Sequence, residues 1–366
     1  MKSKILFTLM FCLALTITAK ETNNLKDGFT LGTPKLKSIK TIAFGPENIL
    51  FVGDNDGMMV YAIDIKDVKG KSGMTLNIDN IDAKIAASMG ASASEIKILD
   101  MAVNPNSNNV FFAVRKEQGE KIHSALFRLS SEGLKEFPLE QVNYTKVAIE
   151  DAPEADTIIY KDWKSRRFTI TDMHYVNGEV FISGLSNEEF SSSLRRVPFP
   201  FNKDMVTTNV QVYHVTHKEN ETHSPIVRFL PKHFGNEWHI IAGYACTPLV
   251  IFNLNQLNGD KKLIGKTIAE IGVGNLPLGI ISYNYKGLDH VLVGNSRYSI
   301  TKFTGDAIFK AKALKFPSKE KGIKRERVSI GSIAHMSNYN KEHILVIIEN
   351  KEEKTFDLKM ISKEEI

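Results

Sequence analysis

Asp100 and Asp172 each precede a methionine at the start of an apolar run, in LDMAV and TDMHYV. Carboxylates at matching places in two strands face one region. With Asn187, Glu188 and Asn295 they make an oxygen-rich set suited to calcium, which takes six to eight oxygen ligands. His214, His217 and His223 fall within ten residues of a polar stretch, and a flexible loop can wrap three imidazoles round a metal. On a strand, however, His214 and His217 point to opposite faces, and no HExxH accompanies them, so solvated histidines are the plainer reading. His174 and His335 lie in apolar runs, where a buried, hydrogen-bonded imidazole is the ordinary outcome. Cys246 is one of 2 cysteines. A thiol becomes reactive at neutral pH only when its pKa falls from about 8.5. No neighbour in sequence ensures that, so turn packing is its simpler role.

Other chemistry is excluded by spacing. GDKKLIGKT (259–267) has five residues between Gly259 and Gly265 where a phosphate-binding loop has four. There is no CxxCH, GxSxG or GxGxxG. DNDG (54–57) lacks the downstream glutamate of a calcium loop and reads as a turn.

The elements that must position these residues recur. ILFVGDN, VFFAVRK, VFISGLSN, HIIAGYAC, HVLVGNS and ILVIIEN end at Gly53, Val114, Gly184, Gly243, Gly294 and Ile348, spaced 61, 70, 59, 51 and 54 residues apart. Glycine at four of these places permits positive φ or close backbone approach. Each run follows an earlier strand (TIAF, LDMAV, TDMHYV, IVRFL, GIISYNY, SIAHM) and a turn such as Asn177-Gly178. A third strand follows each: MMVYAI, SALFRL, SLRRV, LVIFNL, SITKF and TFDLKM. These short runs, rich in β-branched and aromatic residues, predict an all-β chain. Six meandering units describe a six-bladed β-propeller in one domain. Surplus length falls in insertions near 66–97, 131–168 and 202–225, the first with a short helix Asp82–Met89 capped by Asp82. A seventh blade within 131–168 is the alternative.

In a propeller the loops joining second to third strands share a face with the loops joining blades. That face carries Asn187, Glu188, Glu189, Cys246, Thr247, Asn295, Ser296 and Arg297, with Asp172 at the channel and the acidic loop near 150–156 beside them. Polar loops converging on a rigid scaffold are the default binding surface.

The N-terminal stretch predicts export from the cytoplasm. Lys2 and Lys4 precede an uncharged run from Ile5 to Ile17, too short for a bilayer span of about 20 residues. Ile17 and Ala19 suit a signal-peptidase site, so residues 1–19 read as a signal peptide and the mature chain starts at Lys20. Lys+Arg then falls from 47 to 45 against 42 acids, a net charge of +3, and no basic block points to nucleic acid. Cys12 leaves with the signal, so Cys246 has no intramolecular disulfide partner. Asn143 and Asn220 open formal glycosylation sequons. No transmembrane helix is expected in the mature chain, and the localisation is secreted or periplasmic.

GLSNEEFSSSLRRVPFPF (184–201), ETHSPIVRFLP (221–231), AGYACTPLVIF (242–252) and GNLPLGIISYNYKG (274–287) together resemble a group of secreted bacterial β-propeller proteins. The resemblance spans roughly residues 150–310 and implies fold and compartment. The chain departs from the group at Ala245, where threonine is expected, and at Gly279, where aspartate is expected.

Three functions follow as expectations. The first is an exported binding module without cofactor, recognising an extracytoplasmic protein, glycan or small ligand on the loop face. The second is a calcium-dependent lactonase-type hydrolase using Asp100, Asp172, Asn187, Glu188 and Asn295, since six-bladed lactonases hold such a central ion. The third, by fold analogy alone, is a redox partner or quinoprotein-like dehydrogenase.

Overall fold

Each apolar run expected to be a strand is one. The computed structural model describes residues 24–68, 76–160, 163–188, 191–245, 248–259, 263–272, 274–316 and 322–366. Cys246, Thr247, Glu189 and the export segment lie outside them. Six inner strands open six antiparallel meanders: Thr41–Phe44, Ile96–Val103, Asp172–Val176, Ile226–Phe234, Pro277–Tyr285 and Ile333–Asn338. Their partners are the second apolar runs, Ile49–Asp54, Val110–Gln118, Glu179–Leu185, Glu237–Tyr244, Leu288–Asn295 and His343–Asn350. Local chemistry closes the hairpins. Asn177 and Gly178 both take positive φ (50° and 84°), as do Lys286 and Gly287 (49° and 79°), the pattern of a two-residue turn that matches strand twist.

The second strands are apolar on both faces because sheets pack on both sides of them. Ile49 and Phe51 face Ile170, Met173 and Ile182, while Leu50 and Val52 face Ala102, Phe111 and Ala113. Leu345 and Ile347 pack with Phe112 and Val114, and Ile344 and Val346 with Leu292 and Ile300. Alternation with period two thus sends successive side chains into two different cores. The result is a propeller-like ring of small sheets. One larger sheet of nine strands forms where Val210–Val212 runs parallel to Leu263–Gly265. Its edge strands, Asp172–Val176 and Ile226–Phe234, return into contact, so it nearly closes on itself.

Chain order is not ring order. The inner strand Ile96–Val103 touches Thr41–Phe44 on one side and Ile333–Asn338 on the other, whereas Asp172–Val176 lies on the far side of Thr41–Phe44. The segment after the first meander adds to the outer edge of the last sheet, where Ile78 and Leu358 exchange backbone hydrogen bonds of 2.8 and 2.9 Å. The chain then builds the Ile96 sheet and returns as Val142–Ala148 to complete the first sheet against Met59–Asp64. The segment 131–168 therefore supplies Gly133–Glu136 to one sheet, Val142–Ala148 to another, and a two-stranded pairing of Ile158–Tyr160 with Trp163–Lys164.

Two local expectations are corrected. The helix is Ile81–Ser88, and its N-cap position is Asn80 in a left-handed conformation (φ 55°), not Asp82. Asp82 is buried and accepts the Phe356 N–H at 2.9 Å, so its carboxylate ties the helix to the last sheet. The four glycines at strand ends all have negative or extended φ; close approach is what they permit. A Cβ on Gly184 would sit 2.0 Å from the Thr169 carbonyl oxygen, and one on Gly243 would sit 3.0 Å from Pro277.

Candidate functional site at the centre of the ring

The six inner strands surround a cavity of about 430 Å³, lined among others by Asp100, Asp172, His174, Arg228, Gly279 and His335. Asp100 and Asp172 hold equivalent places, opposite Ala113 and Ser183 on their second strands. Each accepts a backbone N–H from a neighbouring inner strand, Asp100 from Ile42 at 2.9 Å and Asp172 from Phe229 at 2.8 Å. Between them stands Arg228. Its Nη2 is 3.2 Å from Asp100 Oδ1, its Nη1 is 3.8 Å from Asp172 Oδ1, and Nη1 also donates to Thr171 O at 2.9 Å. A guanidinium thus supplies the positive charge that two adjacent buried carboxylates require.

The two carboxylates differ electrostatically. Burial pushes Asp100 above the usual aspartate value; Arg228 offsets part of this and Asp172 adds to it. Burial acts on Asp172 in the same direction, but His174, Arg228 and the Phe229 amide hold it below that value. Burial and then Arg228 push the His335 imidazole down to about 4. It is neutral at pH 7, and its Nε2 lies 3.0 Å from Ile98 O, where an Nε2–H donates to the carbonyl. His174 lies 3.5 Å from Asp172 and packs edge-on against Phe229.

Above this layer, at the ends of second strands and the starts of inner ones, cations gather. Lys40 is half-buried and donates to Arg167 O. Burial, followed by the charges of Arg228, Arg167 and Arg115, pushes its ammonium down to about 7, with Asp56 opposing. Asn55 fixes the turn that presents Arg167, donating to Arg167 O at 2.9 Å and Ile170 O at 3.1 Å.

The residues expected from sequence are only partly assembled. Asp100 and Asp172 meet at the cavity; Asn187, Glu188 and Asn295 are not among its lining residues. Asn295 is buried inside its own sheet, bonded to Val293 O, Thr301 Oγ1 and Asn275. Asn187 and Glu188 are exposed, and Asn187 N–H donates to Asp151 O at 2.8 Å, so the acidic loop does join this loop. Beneath that junction the fully buried Arg195 binds Asp151, Thr169 O and Leu185 O. Ser296 and Arg297 line a surface groove with Arg327, Glu349 and Asn350. Asp54 accepts from Lys37, Ser38 and Gly57 amides, which makes DNDG the turn expected.

The histidine trio is corrected. His214 is buried rather than solvated and lies beside His217 and Glu221, while His223 is bonded to Ser191 at 3.2 Å instead. Arg228 and Lys40 were not singled out from sequence. A lone arginine inside the apolar run IVRFL was the available signal for Arg228. For Lys40 there was none, because its neighbours come from distant segments. No family model matches the chain, and no curated protein matches it.

Proposed function

We propose that the chain is an exported six-bladed propeller that binds an anionic group of an extracytoplasmic protein, glycan or small ligand. The ligand sits at the mouth of the central cavity, on the face bearing the loops at Asn187–Glu188 and Asn295–Arg297. The observation that carries this reading is the convergence of Lys40, Arg115, Arg167 and Arg228. The three guanidinium groups lower the Lys40 ammonium, and the positive potential they create there is one that an arriving anion relieves. Six blades are supported by the closed circuit of six inner strands, and export by the charged start, the apolar run and Ala19. The backbone amides and Arg228 that engage Asp100 and Asp172 favour binding over hydrolysis by these carboxylates.

The test is a binding panel of uronate-bearing, sulfated and neutral glycans and acidic and neutral peptides. The expected result is retention of anionic probes alone, weakened by Arg167→Ala with an unchanged melting temperature. Retention of neutral probes with no effect of Arg167→Ala would refute the reading. Export is checked separately by N-terminal sequencing of protein from its native host, expected to begin at Lys20.

A further inference from the structure

The stretch that reads from sequence as a histidine-bearing insertion folds into strand Val206–His214, a turn, and strand Glu219–Glu221. Antiparallel pairing puts Val212 opposite Glu221 and His214 opposite Glu219. Lys218, at φ 60°, reverses the chain, and its N–H donates to His214 O at 2.8 Å. The turn lays His217 over His214, with ring centroids 4.0 Å apart. Both Nδ1 atoms then approach one oxygen: Glu221 Oε1 is 2.9 Å from His214 Nδ1 and 2.5 Å from His217 Nδ1.

A second carboxylate lies behind them. Glu270 Oε1 is 3.7 Å from His214 Nε2 and is held by the Thr216 N–H at 2.9 Å, while its other oxygen takes the Thr216 hydroxyl at 2.7 Å. His214 and Glu270 are buried at 1% and 5% exposure, whereas the His217 side chain is 47% exposed. Glu221 and Glu270 thus make the surroundings of the two imidazoles anionic.

We propose that Nδ1 of His214, Nδ1 of His217 and Oε1 of Glu221 bind one divalent transition-metal ion of the zinc type, which clips the Val206–Glu221 hairpin shut. Two imidazole nitrogens with one carboxylate oxygen select zinc, copper, nickel or cobalt over calcium and magnesium, which take oxygen. One ligand atom from each of the three residues lies within 4.8 Å of the others. Tetrahedral zinc with bonds of about 2.0–2.2 Å sets its ligand atoms roughly 3.4 Å apart. Partly exposed His217 and Glu221 reach that spacing by small side-chain rotations. Glu270, 3.7 Å behind Nε2, adds a second negative charge beside the ring. This site stands apart from the cavity and is independent of the anion-binding reading.

The experiment uses the tag-free chain, stripped with chelator and titrated with Zn²⁺ by calorimetry, and with Co²⁺ followed by visible absorption. One equivalent should bind, raise the melting temperature and give the Co²⁺ a low-coordinate spectrum. His217→Ala, half-exposed and tolerant of truncation, and Glu221→Gln should each weaken Zn²⁺ binding by at least about tenfold, while His223→Ala should not. Wild-type protein that takes up no Zn²⁺, or variants at 217 and 221 that both retain full affinity, would overturn the proposal.

Discussion

Asp172 accepts the backbone N–H of Phe229 at 2.8 Å across the seam between two inner strands, and Asp100 makes the same bond to Ile42 at 2.9 Å. Asp100 thus fastens its sheet to a neighbour, and Asp172 ties together the two edges of the nine-stranded sheet. Arg228 reaches both, and its Nε also lies 3.4 Å from Leu278 O, so one guanidinium joins four inner strands.

Removing that cation should leave two adjacent buried carboxylates without a partner. Arg228→Leu is expected to cost about 3–5 kcal/mol at pH 7, measured by urea unfolding, with part of the loss recovered at acidic pH as Asp100 takes a proton. Asp172→Asn should cost less, because the amide still accepts one backbone N–H. The calcium reading makes the opposite demand on Asp172. Calcium-dependent stabilisation that Asp172→Asn abolishes would favour the lactonase-type hydrolase over the binding module.

His335 predicts an acid-sensitive step. Its folded pKa of about 4 lies below the unfolded value of about 6.5. The unfolded chain therefore binds the proton first, and stability falls as pH drops from 6.5 to 4. The linkage amounts to about 3 kcal/mol. His335→Gln, which can still donate to Ile98 O, should flatten this part of the stability–pH curve. A curve unchanged by the substitution would refute the assignment.

Lys40 predicts the pH dependence of binding. Anion affinity should decline as pH rises through about 7, where the ammonium discharges, and Lys40→Ala should remove that decline. Glu188→Ala and Arg297→Ala change exposed loop residues and should alter stability by about 0.5 kcal/mol or less. If the binding face extends to their loops, both should shift probe affinity. Titrations at several pH values with one acidic peptide measure all three variants.

Strand-end glycines predict graded damage. Gly243→Val meets Pro277 and Ile280 side chains, which can yield, and should cost about 1–3 kcal/mol. Gly184→Ala meets a backbone carbonyl, which cannot yield without moving the Phe168–Thr169 connection, and should cost at least as much despite the smaller side chain. Melting temperatures equal to wild type would remove the close-approach role.

How much of this was legible follows from what each feature depends on. The meanders were readable because strand alternation and turn residues act over a few positions. TIAF, ILFVGDN and MMVYAI announce three strands, and Asn177-Gly178 announces a hairpin, from local sterics alone. The outer edges were not readable. Val142–Ala148 joins the first sheet and Ile78 joins the last through backbone hydrogen bonds, which any side chains can accompany. Pairing of that kind leaves no mark in the residue types, so ring order departs from chain order without warning.

The sites divide along the same line. By itself the sequence determined that Asp100 and Asp172 occupy equivalent strand positions and that polar loops end the second strands. Only the tertiary structure decided that Arg228, 128 residues from Asp100, would stand between them. It alone set Lys40 among Arg115, Arg167 and Arg228, and exchanged His223 for Glu221 and Glu270 beside His214. Charge pairing acts through space and is indifferent to separation along the chain. The partners of a buried ion are therefore known only once the sheets have closed around it.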